Sequence, residues 1–309
     1  MFNIGNLMYG NKQDNLEEVK LLNTKLKILT LNIWWGNYGM DDDRLDKQIK
    51  HVKDLDCDII CLQEMFDIDC QRKYQNELNE KYKVFSSGII EQRWLRYISC
   101  LCPNGIRRVI DGDTLGLVIF VKKDLNPIFR STKKFTRQAI PDPPLTHFIE
   151  SNFSKGFLSI SITVNNKTIN ITNFHLNTGN KDDDPTRKGG YNYERIFQLK
   201  EMIDDSKDDM LILCGDTNSD LDTQPECDWL VTTGNCIDTY NTCHKEDEGF
   251  TWNNTNPYTK GWLVNENQRI DCIILNNKLY DNCELLDSEI VFNKEYVSDH
   301  FGVVTDIEL

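Results

Sequence analysis

The sequence predicts one α/β (α+β) domain in which packed β-sheets are flanked by helices. Strand patterns outnumber helix patterns, and both kinds recur along the whole chain, which favours sheets and helices layered in a single domain. The 309 residues are 39% hydrophobic, which is enough for a sizeable buried core. No apolar run approaches the ~20 residues that a membrane-spanning helix needs.

The spacing of apolar residues predicts the individual elements. Alternating or continuous apolar runs predict strands at 27–33, 57–63, 115–123, 157–164, 168–174, 209–215, 270–275 and 302–309. The Asn165-Asn166 pair predicts a hairpin between two of these strands. Helical spacing predicts helices at 43–55 and 193–205. The remaining long segments lack periodicity and are predicted to be loops, at 86–113, 176–192 and 217–268.

The chain is acidic, with a formal net charge of −14 at pH 7. A protein that grips a polyanion through many phosphate contacts usually carries a basic face. The charge therefore disfavours a processive or non-specific nucleic-acid binder. It does not disfavour a small phosphate site, because a bound metal ion would supply the missing positive charge.

Cysteine usage and the N-terminal residues both favour the cytoplasm. The eleven cysteines are scattered and form no CxxC, and several lie in apolar runs, so we expect buried thiols rather than disulfides or a zinc site. Residues 1–15 lack the basic start and apolar stretch of a signal peptide. We expect a cytoplasmic protein whose contact with membranes, if any, is peripheral.

Polar or ionisable residues stand at the ends of six predicted strands. Strand ends at one rim of a sheet converge on one site and hold it on rigid supports. Carboxylate and amide oxygens bind Mg²⁺, and imidazoles handle protons and phosphate oxygens. In chain order the residues are Asn32, Gln63-Glu64, Asn173 and His175, Asp216 and Asn218, Asp271, and Ser298-Asp299-His300.

Each of these residues also has an ordinary structural explanation. A glutamate at a strand end is usually a solvated rim residue, and a lone histidine after a strand is more often structural. The segment 215–218 consists largely of turn-forming residues, and Asp299-His300 is compatible with a cap before a strand. Chance placement at six strands is the weaker explanation, so we expect these residues to share one site.

Six short segments together resemble the ordered motifs of the endonuclease/exonuclease/phosphatase (deoxyribonuclease I-like) superfamily. They are LNIWW, CLQE, NFHL, CGDTN, RIDCIIL and VSDHFGV, and the resemblance spans roughly residues 26–309. It implies a four-layer αββα sandwich, in which two packed mixed β-sheets are flanked by helices and a cleft opens at one end. It further implies an N-terminal extension at 1–24 before a catalytic domain at 25–309.

The resemblance implies a metal site. Carried over by position, Glu64 is the principal Mg²⁺ ligand and Asn32 assists it. Asp299 either supports the metal or orients the neighbouring His300. The expected cofactor is Mg²⁺, with Mn²⁺ as the alternative, and ligand types alone leave open whether one or two ions bind.

The resemblance also implies catalytic roles. Asp216 and Asn218 bind and orient the scissile phosphate and the attacking water. His300 is the general base, and His175 contacts a phosphate oxygen and stabilises the developing charge. Asp271 is an acidic partner of the imidazoles. The implied enzyme is a metal-dependent phosphoric diester hydrolase that needs no covalent intermediate.

Several details resemble the neutral sphingomyelinase branch. They are LNIWWGN followed by DDDR, then SSGII, SKGFLSI and EGFTWNN. On this resemblance we expect a hydrolase that releases phosphocholine from a sphingolipid. The main alternative is a nuclease or a tyrosyl-DNA phosphodiesterase-like enzyme, because GDTN also resembles that branch. A catalytically silent binding module is the third reading, and the intact set of Glu64, Asp216 and His300 argues against it.

Two aromatic segments bear on the partner. The insertion at 91–114 interleaves tryptophan, tyrosine and isoleucine with arginines, as suits a lipid surface, stacked nucleotide bases or simple packing on the domain. Trp252, Tyr258 and Trp262 would either flank a headgroup or hold a long loop in place. The expected partner is a phospholipid headgroup, nucleic acid is the alternative, and the sequence does not indicate an oligomeric state.

Overall fold

The computed structural model describes residues 24–34, 42–88, 115–138, 154–178, 190–206, 209–259 and 267–309. Residues 1–23 of the predicted N-terminal extension, the insertion at 91–114 and Trp262 lie outside these ranges. The described residues form two six-stranded sheets with helices around them.

The first sheet is built on hydrophobic strands from both ends of the chain. Its strands are β1 (Lys25–Asn32), β2 (Ile59–Gln63), β3 (Tyr82–Ser86), β4 (Val118–Lys122), β11 (Glu284–Val291) and β12 (Gly302–Glu308). Their order in the sheet is β11-β12-β1-β2-β4-β3, and β1 runs parallel to β2. Two helices accompany the sheet, α1 (Asp42–Asp54) and α2 (Ile68–Leu78).

The second sheet comes from the middle of the chain. Its strands are β5 (Ile128–Lys134), β6 (Gly156–Val164), β7 (Lys167–His175), β8 (Met210–Asp216), β9 (Cys236–Asp238) and β10 (Asp271–Asn276). Their order in the sheet is β5-β6-β7-β8-β10-β9, and β7 runs parallel to β8. The helices that follow or flank it are α3 (Gly190–Asp205), α4 (Pro225–Thr232), α5 (Thr239–Cys243) and α6 (Asn277–Tyr280).

Three apolar clusters join the layers. The central cluster takes side chains from both sheets, including Ile28 and Ile59 from the first and Ile160 and Ile212 from the second. A second cluster packs α1 and α2 on the first sheet, and a third packs α3 and α4 on the second. Since two sheets and two helical layers share these interfaces, the predicted αββα sandwich is confirmed.

The interior strands match the prediction, and the strands that it missed are the edges. The prediction contained every strand interior to either sheet, β12, β1, β2 and β4 in the first and β6, β7, β8 and β10 in the second. It omitted β3 and β11 at the edges of the first sheet, and β5 and β9 at the edges of the second. Edge strands expose much of their surface, as β5 and β11 do here, so hydrophobic alternation is weak in them.

Two further expectations need correction. The segment 217–268 was predicted to be a loop, but it contains α4, β9 and α5. These elements are three to eight residues long, too short to show periodicity. Helix α2 was also missed, although the Asp67 carboxylate caps its first turn by accepting hydrogen bonds from two backbone amides.

The described helices do not have the length and apolar content that crossing a membrane requires. The longest of them, α3, has 16 residues and carries several charged side chains.

The topology brings the carboxyl ends of several strands to one rim. Strands β1 and β2 are parallel and in register at Asn32 and Gln63. Strands β7 and β8 are parallel and in register at His175 and Asp216. Strand β10 is antiparallel to β8 and begins opposite Asp216, with Asp271. Polar residues far apart in sequence therefore meet at this rim.

Candidate active site

Asp216 lies at the centre of the rim, where the two sheets approach each other. Its Oδ2 accepts a hydrogen bond of 2.9 Å from Asn32 Nδ2, which belongs to the other sheet. The same oxygen is 3.5 Å from His175 Nε2 and 4.0 Å from His300 Nε2. The other oxygen, Oδ1, accepts a 2.7 Å bond from the backbone amide of Asn218. Five of the predicted site residues are thus within hydrogen-bonding or near-contact range.

His300 forms a dyad with Asp271. Its Nδ1 lies 2.8 Å from Asp271 Oδ2, and both side chains are buried. The backbone amide of Asp271 donates to the Thr251 hydroxyl at 3.0 Å, which holds the start of β10. Since Nδ1 faces Asp271, Nε2 is the ring nitrogen that faces Asp216. The arrangement matches what a general base and its orienting carboxylate require.

Asp299 does not make the hydrogen bond that orients His300. Its Oδ1 accepts a 3.2 Å bond from Ser298 Oγ, and that hydroxyl also lies 2.7 Å from the carbonyl of Asn32. Of the two roles that the sequence left open for Asp299, the geometry gives the orienting one to Asp271. Metal support remains a prediction for Asp299.

Lys155, which the sequence did not indicate as a site residue, lies beside His175. Its Nζ is 2.8 Å from His175 Nε2 and 3.3 Å from Nδ1, and Glu64 Oε1 is 4.0 Å from the same Nε2. The missed signal was SKGFLSI, because Gly156 pairs with His175 across the hairpin. Only that pairing reveals that the preceding lysine reaches the site.

The backbone is strained at three points of the rim. Trp34, Glu64 and Asn218 have φ values of 46°, 60° and 48°, in the left-handed region that costs non-glycine residues free energy. Each lies just after a strand that carries a site residue. Strain of this kind persists where surrounding structure enforces it, and it often marks functional turns. Here it turns the Glu64 carboxylate out of β2 and toward His175.

Buried amides fix the two sheets relative to each other beneath the site. Gln63 Nε2 donates to Asn173 Oδ1 at 2.7 Å, and Asn173 Nδ2 donates to the carbonyls of Leu62 and Val118, each at 2.9 Å. Gln63 and Asn173 were among the strand-end residues noted in the sequence. The structure assigns them a bridging position, one layer behind the carboxylates.

Arg44 of α1 ties together two loops that carry site residues. Its guanidinium donates to the carbonyls of Trp34 at 2.9 Å and Val297 at 3.1 Å. It also lies against the rings of both Trp34 and Tyr258, 4.9 and 5.4 Å from their centroids. One loop follows Asn32 and the other precedes Asp299, so Arg44 sets their separation. Because Tyr258 contacts this arginine, its position agrees with the prediction that it holds a long loop in place.

The carboxylates of the site are short of positive charge. Burial raises the pKa of Glu64, although a quarter of its side-chain surface is exposed. Burial and the neighbouring Asp271 carboxylate raise the pKa of Asp216. Burial raises the pKa of Asp299 to about 7. These shifts indicate that the ionised carboxylates lack a full counter-charge.

The surroundings of the site shift the pKa values of its two histidines in opposite directions. Burial alone would lower the pKa of His300, but the Asp271, Asp299 and Asp216 carboxylates raise it well above its usual value. Burial and the positive charge of Lys155 hold the pKa of His175 well below its usual value. His300 therefore binds a proton tightly in this environment, whereas His175 remains neutral.

The donor set fits a hard divalent cation. Among the described residues, Asp216, Asp271 and His300 offer ligand atoms within 4.8 Å of one another. Asp271 Oδ1 is buried and accepts no hydrogen bond. That orphaned oxygen and the raised pKa values of the carboxylates both indicate negative charge that a cation would balance. Glu64 and Asn32 add oxygen donors on the side facing the first sheet.

The fold and site together define the class of this protein. Two packed sheets with carboxylate, amide and imidazole groups at one rim are the architecture of the deoxyribonuclease I-like hydrolases. Residues 29–300 match the Endonuclease/Exonuclease/phosphatase family, so the chain belongs to that family. The prediction of a metal-dependent phosphoric diester hydrolase is confirmed at this level. No curated protein matches the chain by sequence.

Solved structures share the fold at low sequence identity. TDP2 of D. rerio, solved with a single strand DNA product, superposes with a TM-score of 0.62 at 17% identity, covering 92% of this chain and 99% of that one. The beta toxin of Staphylococcus aureus gives 0.62 at 16%, covering 91% and 99%. The human Nocturnin catalytic domain with a bound sulfate anion gives 0.60 at 15%, covering 92% and 94%.

Proposed function

We propose that the protein is a Mg²⁺-dependent phosphodiesterase that cleaves a phospholipid headgroup ester in the manner of a sphingomyelinase, with water as the attacking group and phosphocholine as the product. Mn²⁺ is the alternative ion. Under this proposal the enzyme, whose catalytic domain begins near residue 25, acts from the cytoplasm and touches membranes only at their surface.

The observation that carries the proposal is the position of Asp216 between two histidines and an asparagine. Asn32, His175 and His300 all approach Asp216 Oδ2 within 4.0 Å. A phosphate at this rim would meet donors from both sheets, which suits the negative charge that develops on its oxygens. Asn218 lies next to Asp216 and would orient the same group.

His300 is the group best placed to accept a proton from water. Asp271 holds the ring through Nδ1 at 2.8 Å, which leaves Nε2 facing the rim. Once the neighbouring carboxylates are neutralised, the pKa of His300 falls toward the range in which an imidazole acts as a base. Asp271 then stabilises the imidazolium that forms.

Glu64, Asn32 and Asp299 are the residues that we propose hold the cation. The first two lie at the ends of adjacent strands, and the third lies on the segment that Ser298 bonds to Asn32. When bound, Mg²⁺ supplies Lewis-acid stabilisation of phosphoryl and leaving-group oxygens. The cluster of Asp216, Asp271 and His300 is a second place where an ion would find ligands.

The sequence motifs and the net charge bear on the class of substrate. SKGFLSI and EGFTWNN resemble the sphingomyelinase branch, and the net charge of −14 disfavours a long polyanion. Nucleic acid is the second candidate, because CGDTN also resembles the DNA-acting branch.

A substrate panel separates the candidates. Purified protein is incubated with sphingomyelin in mixed micelles, plasmid DNA, single-stranded DNA and a tyrosine-linked oligonucleotide, each with Mg²⁺, Mn²⁺ or chelator. We expect Mg²⁺-dependent release of phosphocholine and no cleavage of DNA. The reverse pattern would contradict the lipid assignment, and no turnover of any diester would contradict the phosphodiesterase itself.

A matched variant tests the metal assignment in the same assay. Glu64→Gln keeps the shape of the side chain and removes its charge, so we expect turnover and Mg²⁺ binding both to be lost. Glu284→Gln, on the exposed edge strand β11, is the control and should behave as the wild type. Full activity in Glu64→Gln would refute the assignment of Glu64 as a ligand.

A further inference from the structure

Arg269 is a buried cation that has no part in the proposed reaction. It is 2% exposed and lies two residues before Asp271, which begins β10. Its Nη2 donates a hydrogen bond of 2.5 Å to Asp222 Oδ1, and its Nη1 donates to Asp238 Oδ2. Burial alone would lower the pKa of Arg269, but the Asp238 and Asp222 carboxylates raise it above its usual value. The guanidinium is therefore charged and paired with two carboxylates.

The two carboxylates that pair with Arg269 come from different segments of the chain. Asp222 closes the β8 turn, which we define as residues 217–222 and which follows β8. Asp238 ends β9, and its side chain caps α5 by accepting a hydrogen bond from the backbone amide of Asn241. A guanidinium presents its donors as a rigid planar fork, so one arginine can bind both carboxylates at once. Arg269 thus joins the β8 turn to β9 and to the start of β10.

Backbone hydrogen bonds hold the same turn against the residues before β10. The Thr217 backbone amide and the Thr217 hydroxyl both donate to the carbonyl of Ile270, each at 2.8 Å. The backbone amide of Leu221 donates to the carbonyl of Arg269 at 2.9 Å. The ion pair with Asp222 lies one residue beyond Leu221, so Arg269 holds the far end of the turn through both its backbone and its side chain.

Asn218 is the candidate site residue that the β8 turn carries. Its φ of 48° lies in the left-handed region, which costs a non-glycine residue free energy. Its backbone amide donates to Asp216 Oδ1 at 2.7 Å, and its Nδ2 donates to the carbonyl of Leu176 at 2.8 Å. A backbone in this region persists only where the surrounding structure enforces it. The contacts at the two ends of the turn, at Thr217 and Asp222, supply that constraint.

We propose that Arg269 is a positioning residue that acts through Asn218: by pairing with Asp222 it holds the β8 turn against β10 and keeps Asn218 in place beside Asp216. This inference rests on the proposed function, because Asn218 is expected to orient the same diester. Arg269 itself contacts no substrate and transfers no proton. When the turn is released, Asn218 orients the phosphate less well, so the loss falls on the rate of the chemical step.

Asp222 is the residue to change, because its side chain is 37% exposed and Arg269 keeps Asp238 as a partner when Asp222 is lost. Asp222→Asn removes the charge and keeps the size of the side chain, and Asp222→Glu keeps the charge. Asp205→Asn is the control. It also removes a carboxylate from an ion pair, with Lys133, but it lies at the end of α3 shortly before β8 begins, whereas the β8 turn follows the end of that strand.

Steady-state rates on the diester that the wild type cleaves are measured well below the Tm of every variant. We expect Asp222→Asn to lower kcat by about tenfold with KM changed much less, since a misplacement of ~1 Å can cost about a hundredfold and the backbone bonds of the turn remain. Asp222→Glu should keep most of the wild-type kcat, and Asp205→Asn all of it. An unchanged kcat in Asp222→Asn, or an equal loss in Asp205→Asn, would overturn the proposal.

A double-mutant cycle tests whether Asp222 acts through Asn218. The effects of independent substitutions on kcat multiply, whereas substitutions that act through one group do not. In an Asn218→Ala background there is no longer a side-chain amide to position, so adding Asp222→Asn should lower kcat little further. A second loss of about tenfold in the double variant would contradict the proposed route through Asn218.

Hydrogen exchange keeps the inference separate from the proposed function. The backbone amides of Thr217, Asn218 and Leu221 should exchange about tenfold faster in Asp222→Asn than in the wild type, because the turn opens locally more often, while the amides of β8 keep their rates. Exchange followed by NMR or mass spectrometry measures this. Unchanged exchange in the turn would overturn the inference whether or not the protein cleaves a diester. If the wild type cleaves none and exchange still depends on Asp222, the proposed function fails and the hold of Arg269 on the turn stands.

Discussion

His300 and His175 both approach one carboxylate oxygen, at 4.0 and 3.5 Å from Asp216 Oδ2, and the charges around the two imidazoles differ. His300 is hydrogen bonded to Asp271, and carboxylates raise its pKa well above the usual value. His175 is buried beside Lys155, and its pKa is held well below the usual value. The same side chain therefore favours its protonated form at position 300 and its neutral form at position 175.

The difference shows that residue type alone does not assign a role. Both histidines follow or precede strands, both are buried, and both belong to motifs that resemble one family. What separates them is the sign of the nearest charge, and that depends on which neighbouring strand supplies it. Substitutions that change the surroundings of one histidine at a time test this difference.

The largest effect is expected from removing the His300 imidazole. His300→Ala should lower kcat by about 10²- to 10⁴-fold, because a positioned general base contributes that much. Steady-state rates on the cleaved diester measure it, and His244→Ala is the control, since His244 contacts the carbonyl of Ser288 away from the site. Unchanged turnover in His300→Ala would remove the base assignment.

Removing the charge of Asp271 should have the next largest effect. Asp271→Asn keeps the size of the side chain but no longer stabilises an imidazolium, so we expect kcat to fall by about a hundredfold, within the range of general-base contributions. In metal-free protein, the pKa of His300 should fall as well, because the carboxylate that raised it is gone. NMR titration of the histidine ring protons measures that shift, and an unmoved His300 resonance would contradict the dyad.

His175→Gln should lower kcat less than either His300→Ala or Asp271→Asn does. A glutamine amide replaces one neutral hydrogen bond, worth about 0.5–1.5 kcal/mol, so kcat should fall by about tenfold or less. The same rate assay measures it. A loss as large as that of His300→Ala would mean that His175 transfers a proton, and the contrast between the two histidines would be wrong.

A separate effect is expected on the stability of the metal-free protein as pH changes. The pKa of Asp299 is raised from its ordinary value of 3.8 to about 7, so the folded state holds this proton more tightly than the unfolded state. That contribution to stability is fully present below pH 3.8 and is lost as pH rises through about 7. We expect the Tm of metal-free protein to fall between these values, and Asp299→Asn to fall less steeply.

Mg²⁺ provides the check on that interpretation. If ionised carboxylates destabilise the metal-free site, added Mg²⁺ should raise the Tm more at pH 8 than at pH 5, since binding to the folded state stabilises it. Thermal unfolding at both pH values, with and without the ion, gives the comparison. An equal or smaller rise at pH 8 would show that these carboxylates do not bind the ion.

Many of the strands and most of the candidate site residues could be predicted from the sequence. The interior strands bury both faces or alternate cleanly, as β2 and β8 do, so apolar runs located all of them. The polar residues at their ends were found for the same reason, because each breaks an apolar run. The family followed from the order of those residues, and Glu64, Asp216 and His300 were named on that basis.

The contacts among those residues required the tertiary structure. Asp271 and Asp299 are both acidic and both near His300 in the motif order, and only the register of β10 against β8 makes Asp271 its partner. Lys155 lies directly before β6, and only the β6–β7 pairing brings it to His175. The edge strands β5 and β11 were missed because their exposed faces carry no hydrophobic pattern, and β9 was missed because its three residues are too few to show one.

The interior strands, the polar residues at their ends and the family could all be predicted from the sequence, because buried strands need apolar residues at positions that are visible along one chain. Three features required the folded structure: the hydrogen bond between Asp271 and His300, the position of Lys155 beside His175, and the opposite pKa shifts of the two imidazoles. Those features depend on the distances between groups, and strand register and sheet packing set these distances for residues far apart in the chain, such as Asn32 and Asp216, which are 184 positions apart.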